Sequence, residues 1–308
     1  MRTALLYDAQ SVSQLLNGIV CVYKSAGETF NRVRQSFLHK LSKELCELEC
    51  RIPKQRISVE RDEVTRILTV KKFENLADHP LVMGPMYEPN DFKCSSAVRL
   101  GIDTAGVLVL GLNSGTKDVY ELHREHPLRV YRLNGTFGYM TNNLYKTGKV
   151  VDKSSFQHIR RGALEKFLAA TEASHQRTMY ELCGVDPQSQ AAYELAAKGL
   201  IRPTNTKAPV IYAVKFISLE LPNFTIEVHC INEYEAYLKA LINSIGTRLQ
   251  SYATCTGIQC MRHSHFSLEH ALLKKHWNLE EVIKNIQNNK RLMKMHGSLE
   301  GGLLQAVS

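Results

Sequence analysis

The chain has no apolar run approaching the roughly 18 residues that a membrane-spanning helix needs; VLVLGL at 107–112 is about its longest. No G-x-x-x-x-G-K-[ST] loop, G-x-S-x-G elbow or H-E-x-x-H pair occurs, so the common signatures of P-loop, serine-hydrolase and zinc-protease chemistry are missing. Disulfide spacing is missing too. Eight cysteines are scattered along 308 residues, and a chain of that length buries a core without covalent staples. They read as reduced thiols in an intracellular compartment. Cys255, Cys260, His263 and His265 form C-x4-C-x2-H-x-H, which matches no common zinc spacing, so no metal site is expected. Cys46 and Cys50, four residues apart, read as helix packing. The N-terminus MRTALLYDAQSVSQLLNG lacks the continuous apolar stretch of a secretory signal and carries Asp8. Arg2 and the small residues around it leave room for a short mitochondrial presequence. There is no internal repeat and no linker that divides the chain.

What is present is ordinary in bulk and uneven in charge. Apolar residues at 44% and charged residues at 22% are globular values. Lys+Arg minus Asp+Glu is 39 − 30 = +9, with a pI near 9.1. Such an excess suits a polyanion, with nucleic acid ahead of a membrane surface. Residues 129–166 carry Arg129, Arg132, Lys146, Lys149, Lys153, Arg160, Arg161 and Lys166 against Asp152 and Glu165, a local +6 in 38 residues. That stretch reads either as a solvated helix face and loop or as a surface that tracks phosphates.

Periodicity predicts a buried strand at 18–23. A helix follows, with Phe30, Val33, Phe37, Leu41, Leu45 and Leu48 at steps of three and four. Further strands are predicted at 64–70, 129–138, 209–219 and 224–230, and loop over the Pro- and Gly-rich 76–90. AGVLVLGL has no alternation, which fits a central strand entered through the turn Gly101–Gly106. Helices are predicted with Phe156, Ile159, Ala163, Phe167 and Ala170 on one face, capped by Ser154 or Ser155. Others are predicted over QAAYELAAKG ending at Gly199, over 234–249, and over NLEEVIKNIQNNKRLMKMH before a flexible GSLEGGLLQAVS end. Strands and helices mix without strict alternation, so the fold class is α+β with a mainly antiparallel mixed sheet flanked by helices.

Three segments in order carry a resemblance. NGIVCVYKSAGETFNRVR (17–34), RLGIDTAGVLVLGLNSGTK (99–117) and VYRLNGTFGYMTNNLYKTGKVV (130–151) resemble the TruB family of RNA pseudouridine synthases, closest to its mitochondrial animal branch. AAYELAAKGLIRP (191–203) and the strand and helix at 224–249 agree as well. The resemblance covers roughly 15–275, leaving 1–14 as an extension and 276–308 as a C-terminal helix and tail. It implies isomerisation of uridine to pseudouridine in mitochondrial mRNA or tRNA, with no dissociable cofactor, RNA as partner and mitochondrial RNA-processing proteins as further partners. In that chemistry an ionised carboxylate held by a cation attacks the flipped-out nucleotide or takes a proton from it. The glycosidic bond breaks, and uracil reattaches through carbon.

The sequence departs from the family at that carboxylate. The position that the resemblance assigns to the catalytic aspartate holds Gly101, and the nearest acid is Asp103. On an extended segment that shift moves the group by ~6.6 Å. Asp103 is therefore either a relocated catalytic group or a turn residue bonding its own backbone. The resemblance assigns substrate-binding roles to Lys24, Arg99, Tyr131 and Lys239: Tyr131 as the ring against the base, Lys239 where the family has arginine. Arg129, Arg132, Arg160 and Arg161 are the phosphate candidates. Asn142 and Asn143 replace paired aspartates, Gln259 and Cys260 replace a basic pair, and Ser25 replaces a proline. Impaired activity is expected, and the alternative is a catalytically inactive RNA-binding or RNA-chaperone homologue. Glycine-to-aspartate at 101 is expected to restore turnover unless a positive φ demands glycine.

Overall fold

The computed structural model describes residues 8–50, 55–61, 68–75, 77, 79–197, 201 and 208–305. Its strands are β1 (Gly18–Lys24), β2 (Gln55–Arg61), β3 (Leu68–Glu74), β4 (Cys94–Ser96), β5 (Thr104–Leu112) and β6 (Arg129–Phe137). They continue as β7 (Tyr139–Thr141), β8 (Val150–Lys153), β9 (Val210–Glu220), β10 (Asn223–Ile231), β11 (Ala253–His263) and β12 (Phe266–Ser267). The helices are α1 (Ala9–Leu15), α2 (Phe30–Cys46), α3 (Pro80–Met83), α4 (Gly115–Arg124), α5 (Arg161–Leu182), α6 (Gln190–Ala197), α7 (Glu235–Arg248) and α8 (Leu279–Gln305). An eight-stranded sheet runs β1-β5-β11-β6-β10-β9, with β4 also on β5 and β12 on β11. Among its pairings β5–β11 is parallel and the rest are antiparallel, so the mixed α+β class holds.

The apolar run at 105–111 does form the predicted central strand, between β1 and β11. Its parallel crossing with β11 depends on Gly106, whose φ is +118°. A Cβ there would overlap the Cys260 carbonyl oxygen and stand 2.7 Å from the Cys260 nitrogen. Gly106→Ala is expected to cost roughly 2–4 kcal/mol, since left-handed strain and backbone collision add. A urea midpoint unchanged from wild type would contradict that crossing.

Helices cover the sheet where their apolar stripes point. Phe30, Val33, Phe37, Leu41 and Leu45 of α2 are all buried, as their spacing predicts. Leu238, Leu241, Ile242 and Ile245 of α7 enter the same core. So do Ala9 and Val12 of α1 and Val282, Ile283 and Ile286 of α8, so the two ends of the chain share the core with the sheet. α8 also closes the free edge of β1. Asn285 Oδ1 accepts from Cys21 N–H at 3.0 Å, and Asn289 Nδ2 donates to Ile19 O at 3.0 Å. Backbone groups on an edge strand otherwise invite another chain.

Several boundaries differ from expectation. The helix expected from Ser154 starts instead at Arg161, because Ser154 is engaged elsewhere. Its hydroxyl accepts from Tyr252 N–H at 2.7 Å and meets Ser251 Oγ at 3.0 Å, tying the segment to the start of β11. The expected loop at 76–90 contains α3 and a 3-10 turn at Pro89–Asp91. α8 continues to Gln305 through part of the expected flexible end. Residues 64–67 of the predicted strand, Gly199, and the presequence stretch 1–7 lie outside the described residues.

Candidate active site

The turn before β5, the end of β1 and the start of α7 converge on one charged cluster. Lys239 Nζ donates to Asp103 Oδ2 at 2.6 Å and to Glu235 Oε1 at 2.9 Å, and all three side chains are mostly buried. Asp103 therefore meets the cation that the sequence pairs with the missing residue. The expected ~6.6 Å displacement assumed extended backbone, whereas residues 102 and 103 are bends that turn the aspartate toward α7. Among the described residues no donor reaches Asp103 Oδ1, so one oxygen of this carboxylate is open.

Glu235, which the sequence did not single out, is fully occupied. Its Oε2 accepts from Asp103 N–H at 2.9 Å and from the Thr104 hydroxyl at 2.8 Å. Burial works to raise its pKa, but these bonds and Lys239 lower it overall, so it stays ionised. Burial likewise opposes the charge of Lys239, and its two carboxylate partners overcome that and raise its pKa. Gly101 lies beneath. Its φ is not positive, but a Cβ built on it would overlap the Glu235 carboxylate and come within 2.8 Å of Glu235 Cβ. Glycine stands at 101 for space. This gives a steric and like-charge reason against the expected gain in turnover from Gly101→Asp alone, since the new carboxylate would meet that of Glu235.

Lys24 is present but spent. Its side chain is completely buried, and Nζ donates to the carbonyls of Thr104 at 2.8 Å, Ser25 at 3.1 Å and Ile102 at 3.3 Å. An ammonium has three donors. Lys24 thus holds the turn and has none left for substrate; burial lowers its pKa, while Glu235, Glu28 and Asp103 pull it back.

The ring at this cluster is Tyr145, not the expected Tyr131. Lys239 Nζ lies 5.0 Å from the Tyr145 ring centroid, within cation–π range. Asn142 and Asn143 place that ring through turn bonds: Asn143 Oδ1 accepts from Tyr145 N–H at 3.0 Å, and Asn142 Oδ1 from Lys149 N–H at 3.1 Å. The two losses of charge in the sequence are thus local turn chemistry. Tyr131 and Tyr145 are equally buried, each 3% exposed; what separates them is that the Tyr131 phenol, on β6, faces Glu233.

The arginines separate by exposure. Arg129 is not a surface residue: it is 5% exposed, with Nε 2.7 Å from Glu233 Oε1. Arg132 is half-buried on β6, where it faces Gln259 of β11 and Glu227 of β10 in register. Arg99 is exposed with its guanidinium over Phe30. Arg160 is exposed at the N-cap of α5, and Arg161 pairs with Glu165 at 2.8 Å and covers the Phe216 ring. With Lys146, Lys149, Lys153 and Lys166 they form an exposed basic stretch from the Tyr145 turn to α5. Gln259 reaches the Tyr23 hydroxyl at 3.4 Å, and Cys260 is buried beside Tyr131.

A central mixed sheet carries a carboxylate–lysine cluster at the turn into its middle strand with a tyrosine beside the cation, groups of the kind that acid–base or nucleophilic chemistry uses. Comparison with known proteins is specific. Residues 96–235 match the TruB family pseudouridylate synthase (N terminal domain). The chain is 33% identical over 282 residues to mitochondrial pseudouridylate synthase TRUB2 of Xenopus tropicalis, covering 89% of this chain and 86% of the relative. It is 31% identical over 275 residues to human TRUB2, covering 87% and 82%. The chain belongs to the TruB family of pseudouridylate synthases. Among solved structures, the archaeal box H/ACA sRNP Nop10-Cbf5 complex aligns at TM-score 0.47 and 12% identity, over 85% of this chain and 53% of that one. The chain spans about half the length of such structures. Among the described residues no helix is long and apolar enough to cross a membrane.

Proposed function

We propose that this protein isomerises uridine to pseudouridine in mitochondrial RNA, of the mRNA or tRNA class, with Asp103 as the reacting carboxylate. The observation that carries this reading is the Asp103–Lys239 contact at 2.6 Å, with the Asp103 side chain 18% exposed and no donor to its Oδ1 among the described residues. The relatives named mitochondrial TRUB2 pseudouridylate synthases support both the reaction and the compartment. Asp103 attacks the ribose C1′ of the flipped nucleotide or takes a ribose proton, and the C–N glycosidic bond breaks with its electron pair on uracil. The base turns and a ring carbon bonds to C1′ as the Asp103 bond is released or its proton returned; that carbon then loses its proton and the freed ring nitrogen gains one. Lys239 holds the carboxylate in place through the 2.6 Å contact, and Tyr145 supplies a ring beside the cation. Arg99, Arg160 and the exposed lysines of 146–166 meet phosphates, and mitochondrial RNA-processing proteins are the protein partners that fit this compartment. The test is pseudouridine formation on mitochondrial tRNA and mRNA transcripts, counted by nucleoside mass spectrometry. Wild type is expected to convert uridine and Asp103→Asn to lose roughly 10³-fold.

Gly101 favours a second reading, an RNA-binding homologue without catalysis. It predicts that wild type leaves every transcript unmodified while still binding it. Binding itself is expected to weaken with salt by about 0.7 in log slope per phosphate neutralised on single strands. Arg160→Ala with Arg161→Ala should reduce that slope by up to about 1.4. An unchanged slope in the double variant would assign both arginines to a solvated helix start.

A further inference from the structure

We propose that Glu235 is a positioning residue of this active site, filling the volume left open by Gly101 and delivering Asp103 to Lys239. The inference rests on the synthase reading above and names the residue that makes its carboxylate usable. Three observations support it. First, the Glu235 side chain occupies the space a residue at 101 would need, so the glycine and the glutamate are one device. Second, its carboxylate grips the turn at consecutive residues, the Asp103 amide and the Thr104 hydroxyl, at 2.9 and 2.8 Å. Third, it lies four residues before Lys239 on α7 and shares the same ammonium with Asp103.

The division of labour follows from valence. Glu235 accepts three hydrogen bonds across both its oxygens, so reaction through it would first break the turn or release Lys239. Asp103 accepts from Lys239 on one oxygen, and among the described residues no donor meets the other. Lys24 grips the turn from the opposite side through the carbonyls of Ile102 and Thr104. The bend at 102–103 is thus held at both its amide and its carbonyl groups, which fixes the backbone that carries the Asp103 side chain. Two carboxylates and one lysine replace the single carboxylate and cation that the sequence pattern leads one to expect, with the second acid arriving from the helix rather than the turn.

The experiment compares wild type, Glu235→Gln, Glu235→Ala, Asp103→Asn and Gly101→Asp combined with Glu235→Gly, each checked for a cooperative melt. The readout is pseudouridine formation on mitochondrial transcripts at saturating and limiting RNA. Glu235→Ala is expected to lower kcat about 10²-fold with the KM for RNA unchanged, because a misplaced reacting group costs on that order. Glu235→Gln keeps an oxygen for the turn but no charge for Lys239, and is expected to lose about tenfold. The combined variant uses glycine at 235 because an alanine Cβ would still stand 2.8 Å from a Cβ at 101; it returns a carboxylate to 101 in emptied space, and should recover at least about tenfold over Glu235→Ala. A purely structural role would not give that rescue. Activity of Glu235→Gln and Glu235→Ala within about threefold of wild type, or no rescue, overturns the proposal. Loss in Glu235→Gln with Asp103→Asn still active overturns it too, making Glu235 the reacting group. A wild type that forms no pseudouridine removes the synthase reading and this proposal with it.

Discussion

Truncating Glu233 to alanine should cost about 3–5 kcal/mol of stability, read as a fall in the urea midpoint at constant slope. Its carboxylate is the partner of Arg129, and the two side chains are only 0% and 6% exposed. Burial pushes the Glu233 carboxyl up, and the neighbouring guanidinium pulls it back. An arginine does not give up its proton at any ordinary pH, so removal of Glu233 strands a positive charge in the core. His263 adds no second positive charge there. It is fully buried, with its pKa pushed down to about 3 by burial and by Arg129 and His123, and it carries no charge at neutral pH. The control is informative: Glu233→Leu combined with Arg129→Met removes both charges and should restore most of the loss. A single variant that costs less than about 1 kcal/mol would mean that water reaches the pair, as in exposed ion pairs.

This buried pair was invisible in the sequence, and the reason is physical. Arg129 stands in a run of positive charge, and composition assigns such residues to solvent. Its burial is decided by β6 pairing with both β10 and β11, a long-range arrangement. β11 was illegible as a strand for a related reason. Two bulges, between Cys255 and Gly257 and between Cys260 and Arg262, break its alternation of inward residues, so no period-2 signal survives. Strands without bulges in their own inward pattern were legible: the run at 105–111, and Phe224, Ile226, Val228 and Cys230, lie buried as their spacing requires. At the site, the turn, Asp103 and Lys239 were legible as candidates. Glu235 was not, because its role exists only where α7 passes over a residue without a Cβ. Tyr145 was missed because local asparagine turn bonds, rather than strand alternation, aim its ring.

Lys239→Met should abolish most activity, a fall of roughly 10³-fold, while Lys239→Arg should retain it. The ammonium is the shared partner of Asp103 and Glu235, at 2.6 and 2.9 Å, and its loss leaves two carboxylates facing one another in a mostly buried site. With the shared cation gone, two neighbouring carboxylates repel and the turn they hold relaxes. Arginine keeps the charge and adds a planar fork that two carboxylates can share. The pH dependence of stability supplies an independent check. Glu235 has its pKa lowered in the fold from an ordinary 4.5, so its contribution is complete above that value and disappears as pH falls through the lower folded one. Lys239 has its pKa raised from an ordinary 10.5, so its contribution is complete below that value and is lost as pH rises through the higher folded one. Wild-type stability should thus fall in acid partly through Glu235, and in Lys239→Met that share of the acid slope should shrink. Lys239→Met with activity within tenfold of wild type, and with an unaltered acid slope, would detach Lys239 from both carboxylates and from the reaction.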